Sequence, residues 1–258
     1  DVKIGRHKIK GALTILMDML VVLLLHTYLS GIANNQEQLV RLPELLPIHA
    51  FLTSADGSRQ AGLFIREEVV DGLQASGYVK ELELTVRMEA GLGALSAGSG
   101  QKPDLYLEGV NCLEALGGIE EADVVWNTGE DGTFLTGAEA KCIVSEELFE
   151  KYGWKLGETI TLGQYYYGRE DEKYAWTYTA PLETADYEIV GYTDLKNAGL
   201  DTYMVFPDIV LPFGTVREIF HRQELPFFAD SASFDVANAL ELNEFKQEMK
   251  DLSLRNVS

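Results

Sequence analysis

The sequence has few of the residues that most often build metal and disulfide sites. It contains only two cysteines, Cys112 and Cys142, and four histidines in 258 residues. A structural zinc site normally takes four Cys or His ligands, so two cysteines and scattered histidines do not supply one. Outside the cell the two cysteines could form a disulfide, and otherwise they are two unpaired buried thiols. The spacing of thirty residues does not decide between these alternatives.

Basic residues are scarce after the first 33 positions. The net charge of the chain is −20, and its first 33 residues hold four basic and two acidic residues, which leaves −22 on the remaining 225. Nucleic-acid binding relies on Lys and Arg to neutralise phosphates, and no basic run occurs in this part. The sequence therefore predicts a soluble acidic surface and no nucleic-acid partner.

Recognisable catalytic and nucleotide-binding motifs are also missing. No Gly-x-Ser-x-Gly occurs, and no Gly-Lys-Ser/Thr ends the glycine- and serine-rich loop Gly91–Gly100. The turn-rich segment Asn127–Ala138 does not meet the EF-hand pattern. Only His49 and His221 lie beyond the apolar segment, and His49 falls in a predicted strand. We therefore predict no catalytic, cofactor-binding or metal-binding residues and no cofactor, and ligand-binding residues stay unknown.

A long apolar run is the main feature that the sequence does have. Gly11–Ala33 reads GALTILMDMLVVLLLHTYLSGIA. About 20 apolar residues suffice to cross the hydrocarbon core of a bilayer. The preceding residues include Lys3, Arg6, Lys8 and Lys10, whereas the next basic residue is Arg41. Basic residues on one flank place that flank in the cytoplasm, so the sequence predicts a membrane anchor and an extracytoplasmic main domain.

Two other interpretations of the apolar run remain open. It could be a signal peptide, with Gly31 and Ala33 before the cleavage site, although it is longer than an ordinary h-region. It could also be a buried core helix of a soluble protein. Asp18 and His26 argue against a helix that faces only lipid. Asp18 either faces further transmembrane helices or lies near the cytoplasmic interface.

The residues that follow predict a stalk and then a strand-helix-strand unit. Leucines at helical spacing in Asn34–Leu46 indicate a short amphipathic stalk helix. Ile48–Thr53 is predicted as a strand and Arg66–Ser76 as a helix. In Tyr78–Met88 apolar residues alternate with charged ones, which is typical of a half-buried strand.

The remainder predicts many short strands and three helices. Ser145 is a good cap for a helix that ends at Gly153, and Asn111 for a helical turn. Tyr165–Tyr178 predicts an aromatic hairpin arm with Gly168–Glu172 at its tip. The other predicted elements are the strands Asp104–Val110, Cys142–Val144, Thr159–Leu162, Tyr187–Thr193, Thr202–Phe206 and Phe227–Val236, and the helices Val216–Arg222 and Ala239–Leu252.

An ordered set of short strings resembles a known family. The strings are Leu107–Asn111 (LEGVN), Ile143–Leu148 (IVSEEL), Gly153–Leu162 (GWKLGETITL), Tyr187–Tyr192 (YEIVGY) and Ser233–Val236 (SFDV). With the preceding basic-flanked apolar segment, this order resembles the extracytoplasmic (periplasmic core) domain of MacB/FtsX-type ABC transporter permeases. The resemblance spans roughly residues 8 to 252. The aromatic arm and the glycine-serine loop depart from it.

The resemblance implies a fold and a domain arrangement. The fold class is α+β: a transmembrane and stalk helix leads into a two-lobed extracytoplasmic domain. The implied ranges are a cytoplasmic flank 1–10, a transmembrane helix 11–33, a stalk helix 34–47, a membrane-proximal lobe 48–110 with 226–258, and an inserted β-rich lobe 111–225. The first lobe would be a split βαβ sheet whose last strand follows Ser258.

The resemblance also implies a function and partners. The chain would be a non-catalytic permease subunit at the cell membrane that couples ATP hydrolysis by a cytoplasmic ABC-type ATPase to export, efflux or mechanical signalling. A permease dimer is implied, and an envelope protein, lipoprotein or peptide could be the substrate. One alternative is a single-pass membrane-anchored binding or sensor module that uses the aromatic arm for recognition. Another is a secreted enzyme with a cleaved signal.

Overall fold

The computed structural model describes most of the chain after Ile48. The described residues are 19, 23–30, 48–94, 103–169, 176–197, 206–237 and 241–252, and for 166–169, 176–181 and 197 only the backbone is described. Residue 19 and residues 23–30 are helical. Within these ranges no helix combines the length and apolar character needed to cross a bilayer. The predicted stalk and most of the predicted transmembrane segment lie outside the described residues.

The described elements alternate short strands with a few helices. The strands are β1 (Ile48–Phe51), β2 (Ile65–Arg66), β3 (Val79–Leu92), β4 (Leu105–Val110), β5 (Val125–Trp126), β6 (Lys141–Ser145), β7 (Thr159–Arg169), β8 (Trp176–Thr193), β9 (Ile209–Pro212), β10 (Phe228–Ala229) and β11 (Ser231–Val236). The helices beyond β1 are α1 (Glu67–Ala75), α2 (Glu146–Tyr152), α3 (Phe213–Arg222) and α4 (Leu242–Asp251). The fold is mixed α and β, as the sequence predicts.

The strands β1, β11 and β3 form the predicted split βαβ arrangement. β11 lies between β1 and β3 and is antiparallel to both, so β1 and β3 are parallel and α1 connects them. Val70 and Leu73 bury the apolar face of α1. α4 packs on β11 through an edge-to-face contact between Phe234 and Phe245, whose ring centroids are 5.8 Å apart.

Six strands of the same sheet close on themselves as a barrel. Neighbours pair in the cyclic order β3, β4, β9, β6, β8 and β7, and β7 then pairs with β3 again. The pairs β4–β9 and β6–β8 are parallel and the other pairs are antiparallel. Fully or nearly fully buried side chains occupy the inner face. They include Met88, Ala90, Leu107, Cys142, Val144, Leu162, Tyr187, Ile189, Ile209 and Leu211.

One mouth of the barrel is covered by α3, which contacts β3, β4, β8 and β9. α3 starts directly after β9, and Phe213 and Phe220 both meet Phe227 edge to face. Gly109 permits the close approach, because a Cβ atom there would lie 2.8 Å from Val216 Cγ2. A second apolar cluster covers the outer face of β4, β6, β8 and β9. It includes Val110, Leu113, Leu116, Phe134, Leu135, Ile143, Val190 and Val210.

Several sequence predictions need correction. The predicted strand Phe227–Val236 is wrong as one element, because Asp230 separates β10, which pairs with β2, from β11, which pairs with β3. Asn111 is not a helix cap: its side chain accepts from Leu84 N–H at 2.7 Å and donates to Leu82 O at 2.6 Å.

One further prediction is wrong at its boundary, and one strand is missing from the predictions. β3 runs on to Leu92, so the predicted glycine-serine loop begins inside a strand, and its residues 95–100 lie outside the described part of the chain. β9 is absent from the predictions. All four of its residues are buried, and four residues are too few for a strand period to appear.

Candidate functional site

The second mouth of the barrel carries an open cleft. β6 and β8 end at this mouth with Ser145 and Thr193, while β4 and β9 begin there. The volume of the cleft is about 1030 Å³. Its lining comprises Tyr106, Ser145, Glu146, Glu147, Glu150, Lys151, Asp194, Leu195, Lys196, Phe206, Pro207 and Asp208. Barrel mouths are common places for ligand sites, so this cleft is the candidate functional site.

Acidic side chains dominate the lining of the cleft. Five carboxylates and two ammonium groups contribute to it. Lys196 is held by an ion pair in which its Nζ lies 2.5 Å from Glu147 Oε2. This ion pair lowers the pKa of Glu147, because the ammonium favours the ionised carboxyl. The ammonium of Lys151 lies 5.0 Å from the ring centroid of Tyr152.

Asp208 holds the start of β9 against the start of β4. Its carboxylate accepts a hydrogen bond from Tyr106 N–H at 2.8 Å, and its own N–H donates to Tyr106 O at 2.8 Å. Partial burial raises the pKa of Asp208, and the negative charges of Glu147 and Asp104 raise it further. This half-buried carboxylate therefore lies in a field that favours an added positive charge.

The start of helix α2 places its acidic residues beside the cleft. Ser145 ends β6 in extended conformation, and its Oγ accepts from Leu148 N–H at 3.4 Å. Glu146 and Glu147 consequently occupy the first helical turn, beside the cleft. Gly153 ends the helix with a positive φ of 64°. The predicted cap and stop of this helix are confirmed.

A buried charged cluster lies on the outer face of β3 and β4. Arg87 Nε donates to Glu108 Oε2 at 3.1 Å, and Glu108 is only 2% exposed. The backbone N–H of Arg87 donates to Asp230 Oδ2 at 2.5 Å. Burial raises the pKa of Asp230 to about 7, and the charge of Glu108 contributes to this shift. Two carboxylates thus meet at Arg87 beside the break between β10 and β11: Glu108 binds its guanidinium and Asp230 its backbone N–H.

A second ion-pair cluster connects α1 to α3. Arg217 lies 2.5 Å from Glu67 Oε1 and 2.7 Å from Asp71 Oδ1. His221 Nε2 lies 2.8 Å from the same Glu67 oxygen. His221, one of the two histidines beyond the apolar segment, therefore lies in a salt-bridge cluster between helices. His49 pairs with Asp235 across β1 and β11, which is a structural contact.

Both cysteines are free thiols. Cys142 is buried inside the barrel, whereas Cys112 packs against the outer apolar cluster, so they lie on opposite faces of the sheet. Burial raises the pKa of Cys112 to about 11 and that of Cys142 further. Of the two alternatives from the sequence, the structure has the unpaired thiols.

No group of three or more His, Cys, Asp or Glu side chains in the described ranges is arranged to hold a metal ion. In the turn-rich segment, Asp131 caps a three-ten helical turn, Gly132–Thr136, by accepting from Thr133 N–H at 2.9 Å. The acidic side chain of Asp131, which makes this segment look loosely like a calcium loop, therefore serves as a helix cap.

The aromatic arm is a hairpin, as predicted. β7 pairs with β8 over its whole length, and Arg169 still pairs with Trp176. The predicted tip Gly168–Glu172 therefore starts too early, because Gly168 and Arg169 belong to β7, and its residues 170–172 lie outside the described ranges. Side chains near the tip are not described, so recognition by this arm stays a hypothesis.

No protein-family model matches the chain, and no curated protein matches it. Solved structures similar to it include the periplasmic region of MacB from Actinobacillus actinomycetemcomitans. That structure has 9% identity and a TM-score of 0.43, with 80% of this chain and 82% of the other covered. Another is the extracellular domain of the noncanonic ABC-type transporter YknZ from Gram-positive bacteria, at 16% identity and a TM-score of 0.42, with 80% and 94% covered. Both are external domains of the class that the sequence resembles, and identities this low say nothing about function.

Proposed function

We propose that this chain is the extracytoplasmic domain and first membrane anchor of an ABC transporter permease. The domain itself carries out no catalysis. It couples ATP hydrolysis by a cytoplasmic ATPase to export or to mechanical signalling across the membrane. The ordered strings that resemble the permease family and the basic-flanked apolar run support this assignment.

The single observation that carries the proposal is the exposed helix before the domain. In residues 23–30 the side chains of Leu23, Leu24, Leu25, Tyr28 and Leu29 are 53–68% exposed. At 100° per residue Leu24, Leu25, Tyr28 and Leu29 share a face about 140° wide, and Leu23 lies on the other face among His26, Thr27 and Ser30. A wide apolar face of this kind has to be buried in a protein core or in a membrane. Because these residues are exposed, burial in lipid is the environment that fits, at about 1.5–3 kcal/mol for each leucine.

The two ends of the folded domain also suit an insertion between membrane helices. Ile48 starts β1, and Val236 ends β11 directly beside it. A domain inserted between two transmembrane helices needs its entry and exit at one end, whereas a single-pass anchor needs only the entry. This arrangement brings 48–110 and 226–258 together, and we retain the implied lobes 48–110 with 226–258 and 111–225 as part of the proposal, with the barrel shared between them: β3 and β4 come from the first lobe and β6–β9 from the second. A permease dimer belongs to the same proposal.

The proposal places the domain outside the cell, which cysteine labelling can test. We expect Gln60→Cys, in an exposed loop, to react with a membrane-impermeant maleimide on intact cells. The buried thiol Cys142 should stay unlabelled in the folded protein. The matched control, Lys8→Cys on the basic flank, should react only after lysis, because positive flanks stay in the cytoplasm.

Other labelling patterns would point to other functions. Labelling of Gln60→Cys only after lysis would contradict the extracytoplasmic location. Release of the domain into the medium with a new N-terminus after Ala33 would indicate a cleaved signal and a secreted protein. Membrane retention with no ATPase partner would favour the single-pass binding or sensor module.

A further inference from the structure

We propose that the cleft at the open barrel mouth binds a basic peptide segment in which Lys or Arg stands next to an aromatic or apolar residue. Such a site is independent of ATP coupling, because it depends only on groups in the described domain. A loss of peptide binding and a loss of the ATPase partner would therefore be separate results.

The size and shape of the cleft favour a peptide. Its volume of about 1030 Å³ lies at the upper end of the range for small-molecule sites. It is open to solvent, and the first turn of α2 and residues 206–208 before β9 both contribute to its lining. An extended segment of a few residues can lie in such a cleft with its ends in water, whereas a small molecule would stay largely exposed.

The negative charge of the cleft favours a cationic ligand. Glu146 and Glu150 are exposed in the lining, and Asp208, whose carbonyl accepts from Ser145 N–H at 2.8 Å, is half-buried there. Lys196 is already occupied by Glu147, at 2.5 Å. Among the described residues Asp208 forms no ion pair, and the ammonium of Lys151 offsets the negative charges of Glu147 and Asp104 around it only in part. A Lys or Arg side chain would supply the missing countercharge.

Two exposed aromatic rings give the cleft a second recognition element. Tyr106 is 40% exposed and Phe206 is 41% exposed, and both flank Asp208. The backbone of Tyr106 is fixed to that of Asp208 by the two 2.8 Å hydrogen bonds. A carboxylate beside aromatic faces can hold an ammonium or guanidinium group by ion pairing and cation–π contact, while the rings cover an apolar neighbour. A free metal ion would use only the carboxylates.

Peptide binding to the whole protein in detergent tests the site. The probe is a fluorescein-labelled Lys-Tyr-Lys tripeptide, followed by anisotropy, with Glu-Tyr-Glu and Lys-Gly-Lys as matched peptides and empty micelles as the blank. We expect Lys-Tyr-Lys to bind most tightly. Glu150→Gln combined with Asp208→Asn should weaken it about tenfold, and Tyr106→Ala about threefold.

A charge-matched control separates the cleft from the acidic surface as a whole. Glu68→Gln combined with Glu244→Gln removes two exposed carboxylates from α1 and α4 and should change binding by less than about twofold. Equal losses in the cleft and control variants, or equal binding of all three peptides, would overturn the site. If Asp208→Asn fails to fold, Glu146→Gln with Glu150→Gln removes two exposed cleft charges and should give the same selective loss.

Discussion

The Leu107→Ala variant is expected to lose about 3–4 kcal/mol of its free energy of unfolding. Leu107 is fully buried inside the barrel, where it lies between Met88 on β3 and Ile209 on β9. Removing its side chain leaves a cavity that strands closed into a ring cannot easily collapse to fill, and Leu→Ala changes in cores cost about 2–5 kcal/mol. Urea unfolding of the purified protein, followed by tryptophan fluorescence, measures the change.

The neighbouring residue provides the control. Tyr106 is on the same strand, faces the opposite side and is 40% exposed. Tyr106→Ala should therefore cost less than about 1.5 kcal/mol, while it weakens peptide binding. Similar losses for Tyr106→Ala and Leu107→Ala would contradict the closed barrel, because the barrel buries Leu107 on its inner face and leaves Tyr106 exposed on its outer face.

The Asp230→Asn variant is expected to remove a large pH dependence of stability. Unfolded Asp ionises near pH 3.8, whereas burial and Glu108 raise the pKa of folded Asp230 to about 7. Between these values the folded protein holds a proton that the unfolded chain has lost, so the free energy of unfolding falls as pH rises. The contribution is full below about pH 4 and is lost as pH rises through 7, by about 3–5 kcal/mol.

Asparagine resembles the protonated carboxyl and can still accept from Arg87 N–H, so the variant should be the more stable form above pH 7. The comparison between the two proteins at each pH isolates this group from other acids. Asp251→Asn, at the exposed end of α4, should leave the profile unchanged. A wild-type profile that rises from pH 5 to pH 8 relative to Asp230→Asn would contradict the assignment.

Elements with strong local signals could be predicted from the sequence. α2 has a serine cap, two acidic residues in its first turn and a glycine with positive φ at its end, and these features act without tertiary contacts. β3 shows the alternation of a strand with one buried face at Val86–Ala90, where every second side chain is buried. α1 and α4 could be predicted because their apolar residues recur at helical spacing.

Elements that depend on tertiary contacts could not be predicted. β9 is only four residues long and buried throughout, so it has neither period nor flanking turns to mark it. Asn111 has the chemistry of a helix cap, but its side chain instead bonds to the backbone of β3. It accepts from Leu84 N–H and donates to Leu82 O. The strand breaks at Asp230, whose carboxylate accepts a hydrogen bond from Arg87 N–H, and Arg87 lies far away in the sequence.

The candidate site was also beyond sequence reasoning. Its residues come from the ends of β4, β6 and β8 and the approach to β9, which are brought together only when the barrel closes. Two weak signals are present in the sequence. The acidic pair Glu146–Glu147 follows a strand directly, and Pro207-Asp208 precedes an apolar run. Neither signal indicates a cleft without the barrel topology.

Purification of the full-length membrane protein in mild detergent, with mass spectrometry of the proteins that accompany it, tests the permease assignment most directly. We expect an ABC-type ATPase at about one copy per copy of this chain, absent from a control purification of an unrelated single-pass protein. Recovery of the chain with no ATPase, both in mild detergent and after crosslinking in intact membranes, would contradict it.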